Sequence, residues 1–160
     1  MQINLNDFKI FEKQIILKKI GISGQKKIKN SNVLIIGMGG LGNPLLSYLA
    51  AAGVGNIGIV DHDRVEISNL NRQTLFNLSD IGKFKVVQAK IKIDKNYKNI
   101  KIKKFKEKIL KKNIKKIIKN YEIICEDLDT NIKKYWKLDE IKMIEGLLFI
   151  SMLPLHEDNF

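Results

Sequence analysis

The segment that most restricts how this chain can fold is VLIIGMGGLGNP, residues 33–44. Val33–Ile36 is a run of aliphatic and β-branched residues and reads as a strand buried on both faces. Gly37, Gly39 and Gly42 follow at the spacing of a tight strand-to-helix turn, and Asn43-Pro44 reads as a helix cap with proline in the first turn. The helix LLSYLAAA then closes at Gly53. A turn of this kind aims backbone N–H groups and a helix dipole forward, and glycines let an anionic phosphate approach them closely. Ile57–Val60 forms a second apolar strand, ending in Asp61, 19 positions after Gly42. An acid there suits a carboxylate that accepts hydrogen bonds from ribose hydroxyls.

The rest of the chain extends this pattern. Residues 1–10 are polar and read as an N-terminal arm. Phe11, Ile15, Ile16 and Ile20 recur at helical spacing and predict a short helix stopped by Gly21. Val86, Val87, Ile91 and Ile93 mark a helix over 83–97, and Ile100 and Ile102 alternate with lysine in a half-exposed strand. Ile109, Leu110, Ile114, Ile117 and Ile118 form one face of a third helix, and Tyr121–Cys125 reads as a last buried strand. The alternation β-α-β-α-β-α-β predicts an α/β fold, a Rossmann-like and mainly parallel sheet with helices on both faces. The nucleotide-binding domain is expected over residues 11–130, with an atypical tail at 131–160 and a sheet left incomplete at the C-terminus.

Charge is less informative than it first looks. The net charge of +12 invites a polyanion partner, but 27 of the 29 cations are lysine, and lysine, isoleucine and asparagine together make up 69 of the 160 residues. That is a compositional bias. Between Lys83 and Lys119 there are 16 lysines against Asp94 and Glu107, a net of +14, so the remainder sums to −2. A solvated lysine face is the plainer reading, and nucleic acid is not the expected partner. The single Cys125 excludes an intramolecular disulfide framework and a multi-cysteine zinc site, and it reads as a packing residue. The start has no apolar signal core and no apolar run approaches a membrane span, so a cytoplasmic location is expected. Trp136 sits in the tail without a partner motif.

Glycine loops with a following acid most often serve NAD or FAD, but residues 61–76, DHDRVEISNLNRQTLF, carry a second acid, Asp63, and both arginines of the chain, Arg64 and Arg72. Hydride transfer needs no cation beside the pyrophosphate. Nucleotidyl transfer does, because charge crowds around the pentacoordinate α-phosphorus and builds on the departing pyrophosphate. Asp61-His62-Asp63 could suggest a metal site, but successive residues at a strand end point to opposite faces, which argues against His62 as a ligand.

The combination FEKQIIL, VLIIGMGGLGNP, AAGVGNIGIVDHDRVEISNLNRQTLF and IGKFK closely resembles the ThiF/MoeB/HesA family, relatives of the ubiquitin-activating enzymes, from about Phe11 to Asp129. The resemblance implies ATP- and Mg²⁺-dependent adenylation of the C-terminal carboxylate of a small ubiquitin-like sulfur-carrier protein ending in Gly-Gly, by a homodimer. It implies that Gly37, Gly39, Gly40 and Gly42 form the nucleotide loop and that Asp61 holds the ribose. Asp63 would organise the site beside the metal. Ser68, Asn69, Leu70, Asn71, Arg72 and Gln73 would line the ATP pocket, Lys85 would reach the phosphates, and Asp129 would bind Mg²⁺. Lys13 would enter the site of the other protomer.

Departures from the family pattern set further expectations. Lysine stands at position 13 where the family usually has arginine, and Leu128-Asp129-Thr130 replaces Thr-Asp-Asn. Beyond Thr130 no family motif is recognisable, and the additional strands and zinc-binding C-x-x-C pairs common in members are missing. A truncated or frameshifted enzyme is expected on that ground. Two other readings stay open: an NAD(P)-binding Rossmann oxidoreductase fragment, carried by the glycine loop and Asp61, and a catalytically inactive remnant, carried by the tail.

Overall fold

The computed structural model describes residues 2–110, 112–118 and 121–125, with Glu122–Cys125 in backbone only. Four parallel strands are formed: β1 (Asn32–Ile36), β2 (Asn56–Val60), β3 (Lys101–Phe105) and β4 (Glu122–Cys125), in the spatial order β3-β2-β1-β4. The helices are α1 (Leu5–Ile15), α2 (Gly21–Asn30), α3 (Gly42–Ala52), α4 (Lys85–Asn96) and α5 (Ile114–Ile118), with short 3₁₀ turns at Ile67–Asn69 and Leu78–Asp80.

The aliphatic run of β1 divides between two cores because alternate strand residues face opposite sides. Val33 and Ile35, with Ile57 and Ile59 of β2, pack under Leu45, Leu46 and Ala50 of α3 and Val86, Ala89 and Ile93 of α4. Leu34 and Ile36, with Val60, pack against Ile109, Ile114 and Ile117 on the other face. Helices therefore cover both faces of a parallel, Rossmann-like sheet, as the sequence predicts. Gly58 makes room on the second face, since a β-carbon there would lie 2.5 Å from Leu34 Cδ1.

Chain direction reverses at β1. The β1-α3-β2-α4-β3 units proceed outward on one side, and the chain then crosses to lay β4 on the other side of β1. Ligands of open α/β sheets bind at the carboxyl ends of strands at such a switch point, and the glycine loop leaves β1 there.

The N-terminus departs from the sequence reading. Residues 1–10 are not simply an arm, because α1 begins at Leu5. Asn4 accepts from the Asp7 N–H and Asp7 from the Asn4 N–H, a reciprocal cap that starts the helix. The helix ends at Ile15, and Gly21 opens α2 instead of closing the short helix expected over Phe11–Ile20. Both helices are tied to the fold by tertiary contacts: the Phe11 ring lies against Gly53, Gln25 Nε2 donates to Ala52 O at 3.0 Å, and the buried Lys29 ammonium pairs with Asp7 at 2.5 Å. Asp129, Trp136, the domain boundary at 130 and the tail at 131–160 lie outside the described residues.

Candidate nucleotide-binding site

The glycine loop is built from close approach. Gly37 adopts φ 94°, and its N–H continues the sheet ladder to Val60 O at 2.8 Å. A β-carbon on Gly42 would sit 1.9 Å from Gly37 O, so no other residue fits there. The Gly39 carbonyl accepts from Asn43 N at 3.2 Å as α3 begins. Asn43 is not the cap: α3 starts at Gly42, and Asn43 is fully buried in its first turn, accepting from Leu75 N at 2.9 Å. That bond fastens the 66–76 segment to the helix that carries the loop. Sequence reasoning assigned the residue a local role, whereas its partner lies 32 positions away.

Asp61 faces the loop. One carboxylate oxygen accepts from Met38 N at 2.7 Å and the other from Asp63 N at 2.7 Å. Each carboxylate oxygen has a second lone pair, so Asp61 can hold the loop and still accept from a hydroxyl. The Asp63 N–H bond also turns the chain after β2, which overturns the opposite-faces argument for His62. Its Nε2 lies 3.4 Å from Asp63 Oδ1, and ligand atoms of Asp61, His62 and Asp63 all lie within 4.8 Å of one another. This donor set fits Mg²⁺ poorly, because Mg²⁺ takes oxygen ligands whereas His62 offers a ring nitrogen, and Asp63 already faces the Lys85 ammonium at 3.2 Å.

Arg72 is brought onto the loop. A β-carbon on Gly40 would be 3.4 Å from Arg72 Cδ and 3.7 Å from Nε, so the stem crosses that glycine. Its Nη1 donates to Ser68 O at 2.9 Å and Asn71 Oδ1 at 3.1 Å. Ser68 Oγ contacts Glu66, and Asn69 Oδ1 accepts from Glu66 N at 3.1 Å, which shapes the first 3₁₀ turn. Leu70 packs on the larger core, and among the described residues the buried Gln73 Oε1 and Asn43 Nδ2 have no hydrogen-bond partner. Lys85 is 6% exposed at the start of α4.

Lys13 is not part of this cluster. It is exposed on α1 beside Glu12, two residues past Phe11 and so on a different face of the helix. Phe11 abuts Gly53 at the C-terminal end of the 11-residue α3, about 16 Å from the end bearing the glycine loop. Asp129 lies outside the described residues. Among the described residues no helix is long and apolar enough to cross a membrane.

A glycine loop at a switch point, an acid closing the next strand and an arginine crossing the loop place the chain among Rossmann-like domains. The chain belongs to the ThiF family, whose model matches residues 11–152. That match runs past Thr130 and takes in residues 131–152 of the 131–160 segment. The chain is 40% identical over 152 residues to the adenylyltransferase and sulfurtransferase UBA4 of Vanderwaltozyma polyspora, covering 94% of this chain and 35% of that protein. It is 34% identical over 125 residues to the sulfur carrier protein adenylyltransferase of Thermus thermophilus, covering 78% of this chain and 46% of that one. Among solved structures, that of Escherichia coli MccB with ATP aligns with a TM-score of 0.64 at 32% identity, over 69% of this chain and 33% of MccB. The chain thus spans between a third and a half of the length of these relatives.

Proposed function

We propose that this chain is the nucleotide-binding portion of an adenylyltransferase, which activates the C-terminal carboxylate of a ubiquitin-like sulfur carrier ending in Gly-Gly. The observation that carries the reading is Arg72 lying across Gly40, a cation held against a phosphate-binding loop. Relatives named as adenylyltransferases and a neighbour solved with ATP support it.

A C-terminal carboxylate is ionised at pH 7, so it can attack the α-phosphorus without a general base. The new bond joins carboxylate oxygen to that phosphorus, and the bond to the β-phosphate oxygen breaks to release pyrophosphate. The glycine loop and α3 N-terminus orient the phosphates, Asp61 holds the ribose, and Arg72 and Lys85 stabilise charge on the pyrophosphate. Asp129 would hold Mg²⁺, which when bound supplies further charge neutralisation.

Lys13 of the partner subunit would complete the site in a homodimer. The remoteness of Lys13 from the loop of its own chain supports this, as do Leu5 and Phe8, exposed on the same helix, and Ile16, exposed just past its end. The test is ATP–pyrophosphate exchange dependent on a Gly-Gly-ended carrier. Exchange lost in Arg72→Ala supports the reading, whereas NAD binding in place of ATP overturns it.

A further inference from the structure

The two arginines of the chain are turned to different tasks, and we propose that Arg64 is a positioning residue for Lys85, acting through Phe84. The inference rests on the phosphate-facing role proposed above for Lys85.

Residues 63–65 and 82–85 are zipped together. Val65 N donates to Lys83 O at 2.9 Å, Gly82 N to Val65 O at 2.8 Å, and Lys85 N to Asp63 O at 3.0 Å. Arg64 and Phe84 face each other across this antiparallel bridge. Helix α4 starts from the zipper directly, because Phe84 is its N-cap and offers no side-chain cap bond. The bridge therefore sets where the first residue of α4, Lys85, points.

Arg64 closes the outer side of the zipper. Its Nη1 donates to Gly82 O at 2.6 Å while the guanidinium carbon sits 4.1 Å from the Phe84 ring centroid. Lys106 Nζ approaches the same ring at 4.9 Å. On the inner side, Lys85 Nζ meets Asp63 Oδ2 at 3.2 Å. Gly82 has φ 78°, and among the described residues nothing lies within 4 Å of where a β-carbon would be, so the corner is held by hydrogen bonds: Gly82 N to Val65 O, Lys83 N to Asp80 O, and Arg64 to Gly82 O. A planar guanidinium can stack on a ring and donate in its plane to a carbonyl at once, which a lysine ammonium cannot reproduce.

The test is calorimetric titration of the 160-residue chain with ATP and with AMP, joined to amide hydrogen exchange. Arg64→Ala is expected to weaken ATP binding about five- to tenfold and to leave AMP binding unchanged. Arg64→Lys is expected to restore little of the loss. Arg64→Ala in a Lys85→Ala background should add nothing further. Equal losses for ATP and AMP, or additive losses in the double variant, would overturn the proposal. Exchange gives a readout that needs no nucleotide: in Arg64→Ala the Val65, Gly82 and Lys85 amides should exchange faster while the Leu34 and Ile35 amides do not. Unchanged exchange at the three zipper amides overturns the proposal whatever ATP does. If the unmodified chain binds no ATP, the functional reading fails and exchange alone decides the zipper. Phe84→Leu keeps apolar volume without the aromatic face and should reproduce the selective exchange if Arg64→Ala does not fold.

Discussion

The aliphatic stem of Arg72 lies across Gly40, at 3.4 Å from where a β-carbon would be. The arginine stem thus passes directly over the loop, just ahead of the N-terminal end of α3. Gly42 is under a harder restriction, since its absent β-carbon would fall 1.9 Å from Gly37 O. Gly42→Ala should destabilise the chain by about 3 kcal/mol, read as a lowered urea midpoint. Gly40→Ala, whose β-carbon would meet the Arg72 stem at ordinary van der Waals distance, should leave the midpoint nearly unchanged.

Arg72→Ala should lower carrier-dependent ATP–pyrophosphate exchange by roughly 10²–10³-fold, the scale of losing one preorganised donor. Lys85→Ala should act in the same direction. Exchange unaffected by both changes would remove the cations from the chemistry.

The buried Asp7–Lys29 pair makes stability depend on acid. Burial by itself raises the Asp7 pKa, but the Asn4 N–H together with the hydrogen bond and charge of Lys29 outweighs it and holds the group below the ordinary aspartate value. A depressed folded-state pKa contributes stability that is fully present above the unfolded value of about 3.9 and is lost as pH falls through the folded value. Asp7→Asn leaves a buried unpaired cation and should cost about 3–5 kcal/mol at pH 7. Melting temperatures from pH 7 downward should show the two proteins converging below about pH 4.

Leu34 is fully buried between β2 and the helix side of the smaller core. Leu34→Ala should cost about 2–5 kcal/mol by leaving a cavity. A denaturant midpoint within error of the unmodified chain would contradict that burial.

Fastening of the site to the fold is where sequence reasoning fell short. Arg72 and Lys85 were legible as cations, but that one crosses Gly40 and the other is caught between Asp63 and the zipper was not. Asn43 looked like a cap because asparagine before proline usually is one, yet it reaches Leu75. Strand geometry argues against His62 as a ligand, yet the Asp61–Asp63 turn brings its Nε2 to 3.4 Å from Asp63 Oδ1. The second helix, α2, gave little apolar period to read: its buried members include Gln25 and Lys29, whose burial depends on Ala52 O and Asp7.

Local chemistry determined what sequence could determine here. A β-branched run must be buried, glycines at 37, 39 and 42 must turn, and an apolar helix must follow, so strand, loop, helix and acid were readable as a phosphate-binding α/β unit. Only the tertiary structure decided which side of β1 receives β4, that Asp61 grips Met38 N, and that the Arg72 stem crosses Gly40. Those outcomes depend on contacts between residues distant in the chain, whose geometry no local preference encodes.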